Sequence, residues 1–202
     1  MLLAAVLCLP AAHGAGRTIV VVGDSLSSGY GMAAEQSWVA LLKERLAGEG
    51  YGYAVVNASI AGDTSAGGLS RLPRLLMTHM PAVVVIELGG NDGLRGQPIE
   101  ALRDNLSKMI EQSQRAGARV AIAAIRIPPN YGPAYTKALS GLYPELAQRY
   151  AATLVDLSLQ DVALKPELMQ GDGIHPNAAG QKIVFGNAWR SLGPMLAQHE
   201  AR

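Results

Sequence analysis

Thiols and aromatic rings are what this chain has least of. Cys8 is the only cysteine among 202 residues, so no disulfide can staple the fold. Aromatic residues make up 5%, with a single phenylalanine, while glycine occurs 23 times and alanine is abundant. A core of small aliphatic side chains, with helices packed close on a sheet, is the expectation. Neither sign of charge dominates: 17 Lys and Arg face 16 Asp and Glu. That balance gives no reason to expect nucleic acid or an anionic membrane surface as partner. Charged residues are 16% and apolar ones 49%, as in a compact globular chain rather than a disordered one. No Ser/Pro tract, block of like charge or internal repeat divides the chain. The length suits one domain with a full core, read here as residues 15–202.

An uncharged apolar run over residues 2–9 is interrupted by Pro10 and followed by Ala12-His13-Gly14, a small-x-small cleavage pattern. It is too short to cross a bilayer, which takes about 20 apolar residues, and reads as a secretory signal peptide over residues 1–14. The protein is accordingly expected to be periplasmic or secreted, without stable membrane insertion. The usual positive start is missing, since no Lys or Arg precedes Arg17; an N-terminus truncated or mis-started in gene calling leaves the same pattern. Leu7 stands before Cys8, which speaks against a lipid anchor there. Cleavage would leave a mature chain with no cysteine, compatible with an oxidising compartment.

Apolar runs at 18–22, 53–56, 82–88, 119–125 and 153–157 read as strands. Between them lie helical patterns at 36–47, 66–77, 98–116 and 135–150, with a closing helix over 177–196. In the first helix Trp38, Leu41, Leu42, Arg45 and Leu46 form one stripe. Strand and helix in alternation predict an α/β fold, a parallel sheet with helices on both faces. The strands are nearly continuous apolar runs, as expected when both faces are covered.

Unusual residues collect after the strands: Gly23-Asp24-Ser25, Asn57 to Thr64, Gly89-Gly90-Asn91-Asp92-Gly93, Pro128 to Gly132, and Asp172-Gly173-Ile174-His175-Pro176. Each is satisfied by ordinary turn chemistry. All leave the same edge of a parallel sheet, however, where ligands bind in open α/β folds. Ser25 fits either a nucleophile at a strand end or a helix-capping serine. A serine hydroxyl needs a base within reach. Of the four histidines, His13 falls in the signal peptide, His199 in a polar tail and His79 at a helix end. His175 follows Asp172 by three residues, a spacing that lets the carboxylate turn back onto the imidazole; a helix-entry turn with an incidental histidine has the same spacing. Oxyanion donors would be the Ser25 N–H, the Gly62 N–H and the Asn91 amide. Ser27 stands where a Gly-x-Ser-x-Gly nucleophile turn needs its second glycine.

Gly23-Asp24-Ser25-Leu26-Ser27, the Gly62 segment, Gly89-Gly90-Asn91-Asp92 and Asp172-Gly173-Ile174-His175-Pro176 resemble, in order, the four blocks of the SGNH, or GDSL, hydrolase family. Asn57-Ala58-Ser59, Gly62-Asp63-Thr64-Ser65, Glu87 to Gly96 and Pro129-Asn130-Tyr131-Gly132 resemble its bacterial thioesterase I / lysophospholipase L1 / arylesterase type. The resemblance implies a flavodoxin-like three-layer α/β/α sandwich with a five-stranded parallel sheet in order 2-1-3-4-5. It implies Ser25 as nucleophile, His175 as base, Asp172 as its orienter, and Ser25, Gly62 and Asn91 as oxyanion donors. No family position holds a disabling residue.

A serine esterase acting through an acyl-enzyme on carboxylic esters and acyl thioesters is the leading expectation, with lysophospholipids among its substrates. It is expected to be monomeric and to need neither cofactor nor metal. Leu26, Tyr30, Leu94, Ile127, Pro128 and Tyr131 are expected to border an apolar acyl group, with Met32 packing beside them. Asp24 is read as a cap, and Arg95 and Arg126 as loop pins through ion pairs. Alternatives are a carbohydrate O-acetylesterase on the same triad and, from another class, a nucleotide- or flavin-binding module. The latter suffers because Gly23-Asp24-Ser25 is no phosphate-cradling glycine loop. A metallohydrolase is weaker still: Asp63, Asp92, Asp172 and His175 carry no ligand spacing such as His-x-x-x-His.

Overall fold

Five β-branched, apolar stretches form five parallel strands: β1 (Arg17–Gly23), β2 (Tyr53–Asn57), β3 (Val83–Glu87), β4 (Arg119–Ala124) and β5 (Thr153–Asp156). The computed structural model describes residues 17–157 and 159–200; the signal-peptide reading of residues 1–14 lies outside the described residues. Sheet order is β2-β1-β3-β4-β5, as the resemblance implied. Ligands in such sheets sit where the strand order reverses, between β1 and β3. Register places Gly23, the last residue of β1, opposite Glu87, the last of β3. The loop bearing Ser25 therefore begins at that switch point.

Alternation along the strands sends side chains to two cores. Ile19, Val21, Val83, Val85, Ala121, Ala123 and Val155 face α2 (Trp38–Gly48) and α7 (Ala178–Glu200). Val20, Val22, Val84, Ile86, Val120 and Ile122 face α3 (Ser65–His79), α5 (Ile99–Arg115) and α6 (Pro133–Arg149). Both faces being covered, the whole of β3 is buried, which explains why its sequence shows no polar alternation. Scarce aromatics leave the cores to Val, Leu, Ile and Ala, and small residues permit close approach. A Cβ at Gly68 of α3 would run into the Leu88 side chain and sit 3.3 Å from Met109 Cε.

Two expectations need correction. The inward stripe of α2 is Trp38, Val39, Leu42 and Leu46; Leu41 is half-buried and Arg45 is exposed, paired with Glu49. Helical rotation brings position i+1 inward here, because Trp38 is fully buried at the start of the helix. The stretch around His199, read as a polar tail, belongs to α7, which continues to Glu200. Short elements that the sequence pattern did not reveal are α1 (Ser25–Ser28), α4 (Gly90–Leu94) and single 3-10 turns, one of them Pro129–Tyr131.

Candidate active site

Ser25 opens a single helical turn whose ends are both fixed. Asp24 caps it, accepting from the Leu26 N–H at 3.1 Å, and Gly29 ends it in the left-handed region at φ 77°. Gly23 is required by crowding: a Cβ there would lie 2.6 Å from Glu87 Oε2 and 2.8 Å from Ser27 Oγ. Glu87 is buried beneath the turn and accepts from the Asp24 N–H (3.2 Å) and the Ser27 hydroxyl (2.6 Å). The Trp38 indole in turn donates to Ser27 Oγ at 3.0 Å. Asn57 at the end of β2 holds the exit by donating to Ser27 O at 2.8 Å.

His175 arrives from the other side on the loop that leads into α7. Its Nε2 lies 2.8 Å from Ser25 Oγ, and its Nδ1 lies 2.7 Å from Asp172 Oδ2. Asp172 Oδ1 also accepts the Ile174 and His175 N–H groups at 2.9 and 3.0 Å. The His175 side-chain bond, then these two backbone bonds, hold the Asp172 carboxyl down at about 2. Ionised, it can only accept, so the neutral imidazole carries its hydrogen on Nδ1 and leaves Nε2 free to take the serine proton. The loop is itself held in place. Gln170 Nε2 donates to Tyr30 O (2.8 Å) and Pro176 O (3.1 Å), and Gln170 N donates to His175 O (2.8 Å). Asn177 Oδ1 caps α7 through the Ala179 and Gly180 N–H groups. The Tyr30 ring packs against the imidazole, with centroids 4.9 Å apart.

Of the expected anion donors, the Asn91 amide is tied to the loop that bears Ser25. Ser25 N–H stands at the first position of α1, where no intrahelical acceptor exists. Gly62 adopts φ 78°, which favours glycine; its carbonyl is pinned by the Arg95 guanidinium at 3.0 Å. Asn91 begins the turn after β3, and its Nδ2 donates to Asp24 Oδ2 and to Asp63 O, each at 2.9 Å. Asp92 anchors this turn to the next one, accepting from Ser65 N (2.9 Å) and Ser65 Oγ (2.5 Å). Arg71 of α3 ties the loop after β2 to the end of β1, reaching the Asp63 carboxylate (2.9 Å), Ala58 O and Gly23 O.

Two buried acids lie below the serine. Burial, and then the charge of Asp24, pushes the Glu87 carboxyl well up. Burial lifts Asp24 to about 6, against the lowering effect of the Leu26 N–H, His175 and Asn91. Asp24 is thus a cap, as expected, and also the anchor of the Asn91 amide.

Leu94, Ile127, Pro128 and Tyr131 gather on the Asn91 side. The Tyr131 hydroxyl donates to Leu94 O at 3.0 Å, and Ile127 packs on the core under α5 and α6. Pro128 is exposed. Leu26, half-buried, packs instead against the core beneath α2 and α7. Arg95 does pin a loop, but through the Gly62 carbonyl rather than an ion pair. Sequence reasoning gave no role to Glu87, Ser27, Arg71, Asp92 or Gln170. Glu87 had a signal: a carboxylate closing an otherwise apolar strand must find partners when the sheet is covered. Most contacts of the others reach partners distant along the chain or end on backbone atoms, and leave no local mark.

The chain is 51% identical over 182 residues to esterase TesA of Pseudomonas aeruginosa, covering 90% of each chain. It is 42% identical over 182 residues to thioesterase 1/protease 1/lysophospholipase L1 of Escherichia coli K12, covering 90% of this chain and 86% of that one. Among solved structures, the psychrotrophic esterase EstA from Pseudoalteromonas sp., in a form inhibited by monoethylphosphonate, matches at 40% identity and a TM-score of 0.85. That match covers 90% of this chain and 99% of EstA. A family profile matches residues 21–183; with the fold, the loop order and these relatives in agreement, the chain belongs to the GDSL-like lipase/acylhydrolase family.

Proposed function

We propose that this protein is a serine esterase that hydrolyses carboxylic esters and acyl thioesters through an acyl-enzyme. The observation that carries the reading is one continuous line, Ser25 Oγ to His175 Nε2 at 2.8 Å and His175 Nδ1 to Asp172 at 2.7 Å. Ser25 attacks the carbonyl carbon while His175 takes its proton, and Asp172 orients the ring and stabilises the imidazolium. The C=O pair moves onto oxygen, where the Ser25 and Gly62 N–H groups and the Asn91 amide receive the charge. Collapse expels the alcohol or thiol, which leaves with the proton from His175. Water, activated by the same imidazole, then releases the acid. Leu26, Leu94, Ile127, Pro128 and Tyr131 border the acyl chain, and lysophospholipids are among the substrates. The chain acts as a monomer, a single domain over residues 15–202, exported by its N-terminal 14 residues to the periplasm or beyond. Among the described residues no helix is long and apolar enough to cross a membrane.

The test is Ser25→Ala, assayed with p-nitrophenyl acyl esters and acyl thioesters, beside labelling with an alkyl phosphonate. Hydrolysis should fall to near background with the circular dichroism unchanged, and mass spectrometry should place the label on Ser25. Undiminished turnover in the variant would refute the reading.

A further inference from the structure

Ser25 and His175 lie 150 residues apart in the chain, yet the attack needs hydroxyl and imidazole in one fixed geometry. A misplacement of about 1 Å can cost about 100-fold in rate. Asp172 and His175 meet within one loop, so what remains to the fold is the setting of that loop against the turn bearing Ser25. Resting on the esterase reading, we infer that Gln170 and Gln181 are positioning residues. From either side of His175, their side-chain amides grip Tyr30 O and Leu26 O and so fix the reach of the base to the nucleophile.

Each amide is held one way round. Gln170 Nε2 donates to Tyr30 O at 2.8 Å and to Pro176 O at 3.1 Å. Both partners are carbonyls, which only accept, so a turned-over amide would lose both bonds. Gln181 lies buried in α7. Its Oε1 accepts the N–H of Trp38 at 2.8 Å, and Trp38 is the first residue of α2, whose N–H has no intrahelical acceptor. Its Nε2 is thereby turned to Leu26 O, at 3.3 Å. Space is kept for Gln170 as well: Gly31 adopts φ 73°, and a Cβ there would run into Gln170 Oε1.

The bonds end close to the reacting groups. Leu26 follows Ser25 directly, and Tyr30 N donates to Ser25 O at 3.4 Å. On the other side Gln170 N donates to His175 O at 2.8 Å, and Gln181 N donates at 2.8 Å to the carbonyl of Asn177, the residue that caps α7. Trp38, held by Gln181, passes the restraint on to the serine turn through its indole bond to Ser27 Oγ at 3.0 Å. Moving either loop away from the other therefore breaks an amide bond. Among the described residues, every hydrogen bond between residues 168–181 and residues 24–38, other than that of His175 to Ser25, is made by these two glutamines.

The experiment compares the full-length protein with Gln170→Met and Gln181→Met, which keep the shape of the side chain and remove its amide. Three quantities are read: ester kcat and KM, the rate of alkyl phosphonate labelling of Ser25, and the downfield proton resonance of His175 Nδ1–H on Asp172. Gln181→Met also costs stability, because two buried backbone groups lose their partners, so kcat is counted per phosphonate-titrated site. Each variant should lower kcat and the labelling rate by about 30- to 100-fold, with KM within about threefold. The Nδ1–H resonance should persist, since Asp172 and His175 share one loop. A merely structural role would lower the melting temperature without separating these two halves of the triad. Labelling and kcat within threefold of wild type in either variant overturn the paired role. So does loss of the Nδ1–H resonance together with activity, which would mean that the loop itself has come apart. Labelling needs no ester, so a wild type that labels at Ser25 yet hydrolyses no ester refutes the esterase reading alone.

Discussion

The Asn91 amide donates to the Asp24 carboxylate at 2.9 Å, tying the turn after β3 to the residue immediately before Ser25. Its second hydrogen goes to the Asp63 carbonyl, also at 2.9 Å. With two hydrogens and two acceptors, Asn91 has no free donor before reaction; an oxyanion must share one or displace a partner. It is a stronger acceptor than a peptide carbonyl, so the Asp63 contact is the one to yield, while Asp24 keeps the amide facing the serine loop. Asn91→Ala should lower kcat by about 100- to 1,000-fold, the usual loss for one oxyanion donor, with KM within a few-fold. Steady-state assays with a p-nitrophenyl ester measure it; a drop under threefold would remove Asn91 from the reaction.

Asp172 supplies a second prediction. Its carboxyl sits at about 2 because His175 and two N–H groups bond to it, so it remains ionised wherever the enzyme would work. Asp172→Asn keeps an oxygen for those N–H groups but offers an amide that can also donate, allowing the imidazole to present the wrong nitrogen to Ser25. A fall in kcat of about 10,000-fold is expected by analogy with other triads, with little change in melting temperature because the residue is exposed. A variant within tenfold of wild type would mean that the carboxylate does not set the tautomer.

The broad plan of the molecule is legible from composition and period. Uninterrupted runs such as Val83 to Ile86 can only be strands covered on both faces, and alternation with helices makes the sheet parallel. Loops at one sheet edge then bring Ser25, Asp172 and His175 into hydrogen-bond reach and set the Asn91 amide on Asp24, beside Ser25. What sequence could not supply is the scaffold that aims these residues. Arg71 serves two carbonyls and one carboxylate, one at the end of β1 and two in the loop after β2, and Gln170 reaches Tyr30 across 140 residues. Such contacts depend on where loops end after folding, which no local period encodes. The α4 turn was hidden for a related reason: Gly90 and Gly93 are poor helix formers, and the turn persists because Asp92 is anchored on Ser65.

Packing at the end of β1 gives a third prediction. Gly23 faces Glu87 and Ser27 so closely that a methyl group would sit 2.6 and 2.8 Å from their oxygens. Neither neighbour can retreat, since Glu87 is buried in the sheet and Ser27 is held between Glu87 and Trp38. Gly23→Ala should destabilise the fold by about 1–3 kcal/mol, as overpacking does, and should disturb the turn bearing Ser25. Urea denaturation and the ester assay read the two effects. A variant as stable and as active as wild type would show that the turn can shift freely.

The last prediction concerns Asp24, whose carboxyl burial raises to about 6 from an ordinary 3.8. The folded protein therefore binds this proton more tightly than the unfolded chain. Below about pH 4 the group is protonated in both states and adds nothing to the pH dependence. Between 4 and 6 stability falls as pH rises, and above 6 the full cost of a buried carboxylate is present. The charged groups around it are Glu87 on β3, Asp63 in the next loop with its partner Arg71, and His175. Glu87, also pushed up by burial, adds a slope of the same sign, while Asp172, at about 2, is ionised throughout the window; the share of Asp24 is the part of the slope that Asp24→Asn removes. Asn at this position keeps a capping oxygen for Leu26 N–H, because Asn and Asp cap about equally well, but puts an amide nitrogen where Oδ2 accepted from Asn91, a loss that is the same at both pH values and offsets part of the gain. Asp24→Asn should accordingly gain about 1–3 kcal/mol over wild type at pH 7.5, and much of that gain should vanish at pH 4. Denaturant unfolding of both proteins at the two pH values decides the matter. A stability difference that is the same at both would assign the slope to another group.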